Sequence, residues 1–142
     1  MAAIGLAQLE RYEQMLKWRQ EIIAMYNEAF AKLPVKVLNH KDENHVSSGH
    51  LFFVRVNGID ENTRNEIIVK MAEKGVAANV HYKPLPMLTA YKNLGFHIED
   101  YPNAYQQYKN EITLPLYSTL TCEDVDYIIQ AFRDSLEECR CC

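Results

Sequence analysis

A chain of 142 residues is long enough to bury one hydrophobic core and too short for two ordinary domains. Hydrophobic residues at 48% and charged residues at 24% are typical of a water-soluble globular protein. The net charge of −4 argues against a general role on nucleic acid or on a membrane surface, and no apolar run approaches the roughly 20 residues needed to cross a bilayer. With no export-signal pattern and no disulfide-like cysteine spacing, we expect a cytoplasmic location.

The first predicted element is a helix over residues 3–33. Apolar residues recur there at alternating steps of three and four, interrupted only by Arg19, and Pro34 cannot continue the helix. Such a helix is roughly 45 Å long and usually bridges two bodies or pairs with a partner. Residues 1–7 have no helix cap and are apolar nearly all round, which favours a chain cut from something longer. The alternative is burial of this segment in a homodimer.

The middle of the chain predicts strands around one helix. Residues 35–39 form a possible edge strand, a polar loop follows, and residues 50–56 form a clear strand rich in β-branched and aromatic residues. After an Asn57-Gly58 turn, Asp60 or Asn62 caps a helix that ends at Gly75. Its predicted apolar face consists of Ile67, Ile68, Met71 and Ala72. Residues 76–82 read as a further, buried strand.

The last third predicts mostly helices. Residues 87–95 form a short helix ended by Gly95, residues 100–110 form another that begins near Pro102, and residues 112–116 are extended. Thr121 then caps the final helix, whose buried face is Val125, Ile128, Ile129, Phe132 and Leu136. The order of elements predicts an α+β fold, with a small, mostly antiparallel sheet covered on one side by helices.

Cysteine and histidine spacing gives little support for a metal site. Cys122 stands alone and Cys139, Cys141 and Cys142 crowd the end, without a partner pair of Cys or His at zinc-site spacing. We therefore predict no metal and interpret residues 140–142 as a tail. His40, His45 and His50 are five residues apart, which suits neither one helix face nor one strand face, so we interpret them as solvated loop residues.

His81 and Tyr82 are the strongest candidates for a binding site. They end a predicted buried strand, and polar groups at strand ends that face a cleft often meet ligands. Lys83 adds a charge suited to phosphate, and Pro84 and Pro86 restrict the backbone after it. The alternative is that His81 and Tyr82 are ordinary interior packing.

Several segments in register resemble the C-terminal part of the DegT/DnrJ/EryC1/StrS aminotransferases. The matching residues are 2–11, with their Ala-Ala-Ile-Gly-Leu run, and then 48–52, 75–85, 91, 101–104, 114–117 and 120–121. The resemblance implies the C-terminal domain of a fold-type I enzyme that depends on pyridoxal 5'-phosphate. Residues 1–34 would be a linking helix and residues 35–139 a small domain, with the catalytic large domain absent.

The resemblance also implies a reaction. Such an enzyme moves an amino group from an amino acid, commonly glutamate, to a nucleotide-linked keto-sugar, and polysaccharide biosynthesis is one outlet. His81, Tyr82 and Lys83 would then contact the substrate in a homo-oligomer, expected to be a dimer. The Schiff-base lysine and the other cofactor-binding groups would precede Met1, so we expect the isolated chain to bind no cofactor and to be inactive. Pro86 stands where one common family pattern has a second His. A free-standing binding or dimerisation module without catalysis is the alternative, and a non-catalytic regulatory subunit is a third possibility.

Overall fold

The computed structural model describes residues 2–140, which form an antiparallel sheet with helices on one face. Along the chain the elements are α1 (Ala2–Leu9), α2 (Tyr12–Phe30), β1 (Val35–Val37), β2 (Phe52–Val56), α3 (Glu61–Glu73), α4 (Thr89–Lys92), α5 (Pro102–Tyr108), β3 (Glu111–Leu114) and α6 (Cys122–Arg140). Two 3₁₀ turns, Leu85–Met87 and Ile98–Asp100, flank α4 and α5. The predicted α+β class is confirmed.

Strand β2 is central, with β1 and β3 antiparallel on either side. Phe52, Val54 and Val56 are buried and alternate with two half-buried residues, as expected for a strand whose two faces differ. Val54 lies opposite Val37 in β1 and Ile112 in β3. This register places the buried Val54 and Ile112 side by side beneath the helices, whereas Val37 on the edge strand is 38% exposed.

Helices α2, α3 and α6 cover the apolar face of the sheet and complete the core. Four rings form its centre: Tyr26 lies 4.8 Å from Phe52 and Phe30 lies 5.1 Å from Phe132, centroid to centroid. The predicted buried face of the last helix is confirmed throughout: Val125, Ile128, Ile129, Phe132 and Leu136. Thr121 and Asp124 cap α6 reciprocally, because each accepts a hydrogen bond from the other's backbone N–H.

Polar side chains join helices α2 and α6 to distant backbone. The indole Nε1 of Trp18 donates a hydrogen bond to the Leu120 carbonyl at 2.9 Å, and the hydroxyl of Tyr26 donates to the Pro115 carbonyl at 2.8 Å. Arg133 Nη2 donates to the carbonyl of Ala29, in the last turn of α2, at 2.7 Å. These bonds fix α2 against the segment after β3 and against α6.

The predicted helix over residues 3–33 is wrong as one continuous element. It is interrupted after Leu9, where the N–H of Arg11 donates to the Gln8 carbonyl, a three-residue step, and it ends at Phe30. The apolar stripe is buried only from Ile22 onward. The apolar side chains of α1 lie open to solvent, since Ile4, Leu6 and Leu9 are 63–65% exposed, while Leu16 and Trp18 of α2 are half-buried.

The predicted strand over residues 76–82 is also wrong. Asn79 pairs with Thr113 as an isolated bridge, through one backbone hydrogen bond in each direction. The side chain of Asn79 accepts a bond from the N–H of Val80 at 2.8 Å, a local bond that competes with ladder pairing. Beside it, Val76 is buried and Ala78 half-buried, while Ala77 is exposed.

Smaller corrections concern single residues. Ala72, predicted on the apolar face of α3, is exposed, and the strand predicted from residue 50 begins at Phe52. Asp60 caps α3 by accepting from the N–H of Thr63 at 2.9 Å. His40 is buried rather than solvated, with its ring stacked on Phe52 at 5.6 Å.

The described part of the chain ends in a helix and contains no metal-binding cluster. Helix α6 runs through Arg140, and Cys141 and Cys142 lie outside the described residues. In residues 2–140, no three His, Cys, Asp or Glu side chains form a group that could hold a metal ion. No helix in the same range is long and apolar enough to span a membrane.

Arg64 is a buried cation that joins α3 to the segment between α5 and β3. It is 1% exposed, and its Nη1 donates to the carbonyls of Tyr108 at 3.1 Å and Glu111 at 3.2 Å. Its guanidinium lies over the Tyr108 ring, 4.7 Å from the centroid, and the Tyr108 hydroxyl donates to Glu61 Oε1 at 2.8 Å. This cluster sets the position of α5 relative to the sheet.

Candidate functional site

A groove of about 520 Å³ lies on the side of the sheet that the core helices leave open. The sheet contributes Phe53 and Arg55 of β2, and the side chains of these alternate positions point away from the core. Helix α5 forms one wall, and the loop around His81 closes an end. The other lining residues are Lys36, Val37, Leu38, Asn39, Tyr82, Pro84, Ala104, Gln107, Tyr108 and Glu111. Its volume falls in the range of small-molecule sites.

Three charged residues lie side by side across the sheet in this groove. Lys36 of β1 is directly opposite Arg55 of β2, and Arg55 is directly opposite Glu111 of β3. Cross-strand partners project from the same face of a sheet, so the two cations and the carboxyl share the groove. The charges therefore belong to a single surface although they are far apart in sequence.

Glu111 is buried, with 6% of its surface exposed, and it anchors the end of the groove. Thr113 Oγ1 donates a hydrogen bond to Oε1 of Glu111, and the backbone N–H of His81 donates to Oε2 at 3.1 Å. Burial raises the pKa of Glu111, while those two bonds and the charge of Arg64 lower it and leave a net upward shift. The carboxyl thus fixes the backbone of His81 relative to β3.

The predicted pair His81 and Tyr82 does meet in the groove. Their rings pack edge to face with centroids 4.8 Å apart, and the peptide bond between them is cis. Tyr82 is 74% exposed, which excludes ordinary interior packing for its ring. His81 Nδ1 is buried and has no hydrogen-bond partner in the protein, so its hydrogen-bonding capacity is unused. Lys83 is exposed and does not line the groove.

Sequence reasoning missed Lys36, Arg55 and Glu111. Lys36 and Arg55 each appear in the sequence as a single charge between valines, which is the usual pattern of a solvated strand face, and Glu111 follows the polar pair Lys109-Asn110. The available signal was the alternation in β2, which assigns Arg55 to the face opposite Val54 and Val56. The register that unites the three charges required the structure.

The lysines of residues 2–140 do not fit covalent attachment of pyridoxal phosphate. A lysine that forms a Schiff base is normally desolvated in an enclosed site. All nine lysines here are exposed or half-buried, and Lys36, which borders the groove, is exposed. We therefore derive no chemical step through the cofactor from these residues.

Comparison with known proteins identifies the family. The profile of the DegT/DnrJ/EryC1/StrS aminotransferase family matches residues 1–133, and the chain belongs to this family. It is 36% identical over 141 residues to the spore coat polysaccharide biosynthesis protein SpsC of Bacillus subtilis, covering 94% of this chain and 35% of SpsC. The predicted resemblance is thereby confirmed.

Solved structures agree with this assignment. Spr1654 of Streptococcus pneumoniae, described as a sugar aminotransferase, has a TM-score of 0.96 and 48% identity in its apo form, covering 99% of this chain and 35% of Spr1654. It has also been solved in PLP and PMP forms. Helicobacter pylori PseC, an aminotransferase of pseudoaminic acid biosynthesis, has a TM-score of 0.82 and 26% identity, covering 96% of this chain and 36% of PseC. The chain thus spans about a third of the length of these proteins.

Proposed function

We propose that this chain is the small C-terminal part of a pyridoxal-phosphate-dependent aminotransferase. The reaction is the transfer of an amino group from an amino acid, glutamate, to a nucleotide-linked keto-sugar. Family membership and the likeness to Spr1654 support the chemistry, and the 35% coverage supports the partial length. In this proposal residues 1–34 link to a large domain that holds the cofactor, and residues 35–139 form the small domain.

The observation that carries the substrate role is the state of His81 and Tyr82. Nδ1 of His81 has no partner in the protein, and Tyr82 presents most of its ring to solvent at the end of the groove. An imidazole nitrogen and a phenol can hydrogen-bond to sugar hydroxyls, and the Tyr82 ring offers a flat surface to a sugar. Lys83 follows on the outer side of the loop, where it can meet a phosphate.

The isolated chain is then inactive, because its lysines are not placed for a Schiff base. The parent enzyme works as a cytoplasmic homodimer. A role in polysaccharide biosynthesis rests on the name of SpsC.

A chimera tests this function. Residues 2–140 replace the matching third of Spr1654, and the product is assayed with pyridoxal phosphate, glutamate and a panel of nucleotide keto-sugars. We expect 2-oxoglutarate and an amino-sugar from the chimera and none from the isolated chain. His81→Ala and Tyr82→Ala should each raise KM for the sugar, whereas His97→Ala, an exposed control outside the groove, should not. A chimera that folds and binds the cofactor but aminates no keto-sugar rejects the proposal, as does turnover by the isolated chain.

The exposed apolar side chains of α1 favour a second candidate, a dimerisation module. Ile4, Leu6 and Leu9 are each at least 63% exposed, and apolar patches of this kind are common at interfaces between subunits. Sedimentation velocity of this chain over a hundredfold range of concentration tests it. A dimer that Leu6→Asp converts to monomer supports a pairing role for α1, and a concentration-independent monomer rejects it.

A further inference from the structure

We propose that the groove is the site of the nucleoside diphosphate in the sugar substrate, with Lys36 and Arg55 binding the diphosphate and the aromatic residues beside them contacting the nucleoside. This inference rests on the proposed function and extends it to residues that sequence reasoning missed.

Two adjacent cations without protein partners are the first observation. Lys36 and Arg55 are direct cross-strand partners, and in such pairs the Cβ atoms are about 5 Å apart. Within residues 2–140, the ion pairs and side-chain hydrogen bonds involve neither residue. Arg55 is half-buried, so its charge is partly desolvated without compensation. A ligand with two neighbouring anionic groups would supply that compensation.

Glu111 is the carboxylate that faces the same groove, and it does not cancel the two cations. Its two oxygens already accept hydrogen bonds from Thr113 and His81, so they are directed to the protein. Burial raises its pKa, which favours the uncharged carboxyl, while the charge of Arg64 acts in the opposite direction. Even with Glu111 fully ionised, the row Lys36, Arg55 and Glu111 keeps a net positive charge.

The remaining lining suits the uncharged part of a nucleotide. Phe53 of β2 and Tyr82 of the loop offer aromatic surface to the same space, and aromatic rings stack on any nucleobase. The side-chain amides of Asn39 and Gln107 line the groove as well and can both donate and accept hydrogen bonds. The two cations on the sheet suit the diphosphate, and the aromatic rings suit the flat nucleobase. The groove therefore fits a nucleoside diphosphate better than an inorganic anion alone.

The first test is a titration of this chain with UDP, monitored by isothermal titration calorimetry and by NMR amide chemical shifts. We expect saturable binding with shifts at residues of the groove, and binding of uridine at least tenfold weaker, because uridine lacks the diphosphate. Lys36→Met and Arg55→Met should each weaken UDP about tenfold, the loss expected for one charge-assisted hydrogen bond. Lys41→Met and Arg11→Met are matched controls outside the groove and should change the affinity less than about twofold.

Clear results would overturn the inference. The inference fails if UDP does not bind, or if UDP binds the Lys36→Met and Arg55→Met variants as tightly as the unsubstituted chain. It also fails if the amide shifts occur at residues outside the groove. In the Spr1654 chimera the same two substitutions should raise KM for the nucleotide keto-sugar about tenfold and leave kcat within about twofold. Unchanged KM values would reject this diphosphate site and leave the transfer reaction standing. If the unsubstituted chimera transfers no amino group, the proposed reaction is rejected. The UDP titration of this chain still tests the diphosphate site independently.

Discussion

Arg64→Met removes a guanidinium that the fold has enclosed almost completely. Nη1 of Arg64 donates to the carbonyls of Tyr108 and Glu111, at 3.1 and 3.2 Å. Methionine has a similar length and is apolar, so it fills the space but donates nothing. Both carbonyl oxygens then lose a donor in the interior, where water cannot replace it without opening the junction between α5 and β3.

The size of the effect follows from these contacts. A hydrogen bond to a charged group contributes about 1.5–3 kcal/mol, and the two bonds share one donor nitrogen, so they do not add in full. We assign little to Glu61, because its side chain is 28% exposed and lies 3.7 Å from Nη2. The expected loss is about 3 kcal/mol of the free energy of unfolding, within the range seen when a buried charge network is broken.

Urea unfolding monitored by circular dichroism measures this loss. Arg11→Met is the matched control, because it removes the same side chain from the surface, where Arg11 donates to Gln8 at 3.1 Å, and should change stability by less than about 0.5 kcal/mol. Arg64→Lys keeps a donor and should recover part of the loss. If Arg64→Met lowers the free energy of unfolding by less than about 1 kcal/mol at an unchanged m-value, the guanidinium does not hold the junction.

Three further predictions concern pH and sterics. Burial lowers the pKa of His40, so below about pH 6.5 the unfolded chain binds a proton that the folded chain does not. The free energy of unfolding should therefore fall on acidification in this range. In urea titrations across pH, His40→Phe should remove that fall. Burial raises the pKa of Glu111, so above about pH 4.5 the unfolded chain has released a proton that the folded chain keeps. The free energy of unfolding should therefore decline as pH rises through the folded pKa. Glu111→Gln, measured in the same urea titrations, should flatten this decline. Gly49→Ala should lower the thermal midpoint more than Gly58→Ala. Both have positive φ, 63° and 78°, but a Cβ at residue 49 would lie 3.0 Å from Ile23 Cδ1 and one at residue 58 meets nothing within 4 Å; equal losses would contradict the steric argument.

Elements with a strong local signal were predictable from the sequence. Helix α6 has a cap at Thr121 and an apolar face of regular period, and both features act within a few residues. Strand β2 alternates in burial as its β-branched and aromatic residues require. In each case the local preference and the tertiary packing agree.

Features that depend on distant partners were not predictable. Residues 76–82 include several apolar residues, but only Asn79 pairs with the edge strand β3, through Thr113. His40 is buried since Phe52, twelve positions later, provides a ring to stack on. The candidate site was half predicted: the loop of His81 and Tyr82 is visible in sequence, whereas the register of Lys36, Arg55 and Glu111 is not.

The hydrogen bonds that join α2 and α6 to distant backbone also affect how the chain folds. Trp18 with Leu120, Tyr26 with Pro115 and Arg133 with Ala29 are separated by 102, 89 and 104 residues. Contacts this distant must wait for long loops to close, which places the protein among slow-folding mixed α/β domains rather than fast helical ones. During synthesis, α2 emerges long before Phe132 and Leu136 can cover the core. The nascent chain therefore exposes the apolar face of α2 until α6 has left the ribosome, and a truncation within α6 prolongs that exposure indefinitely.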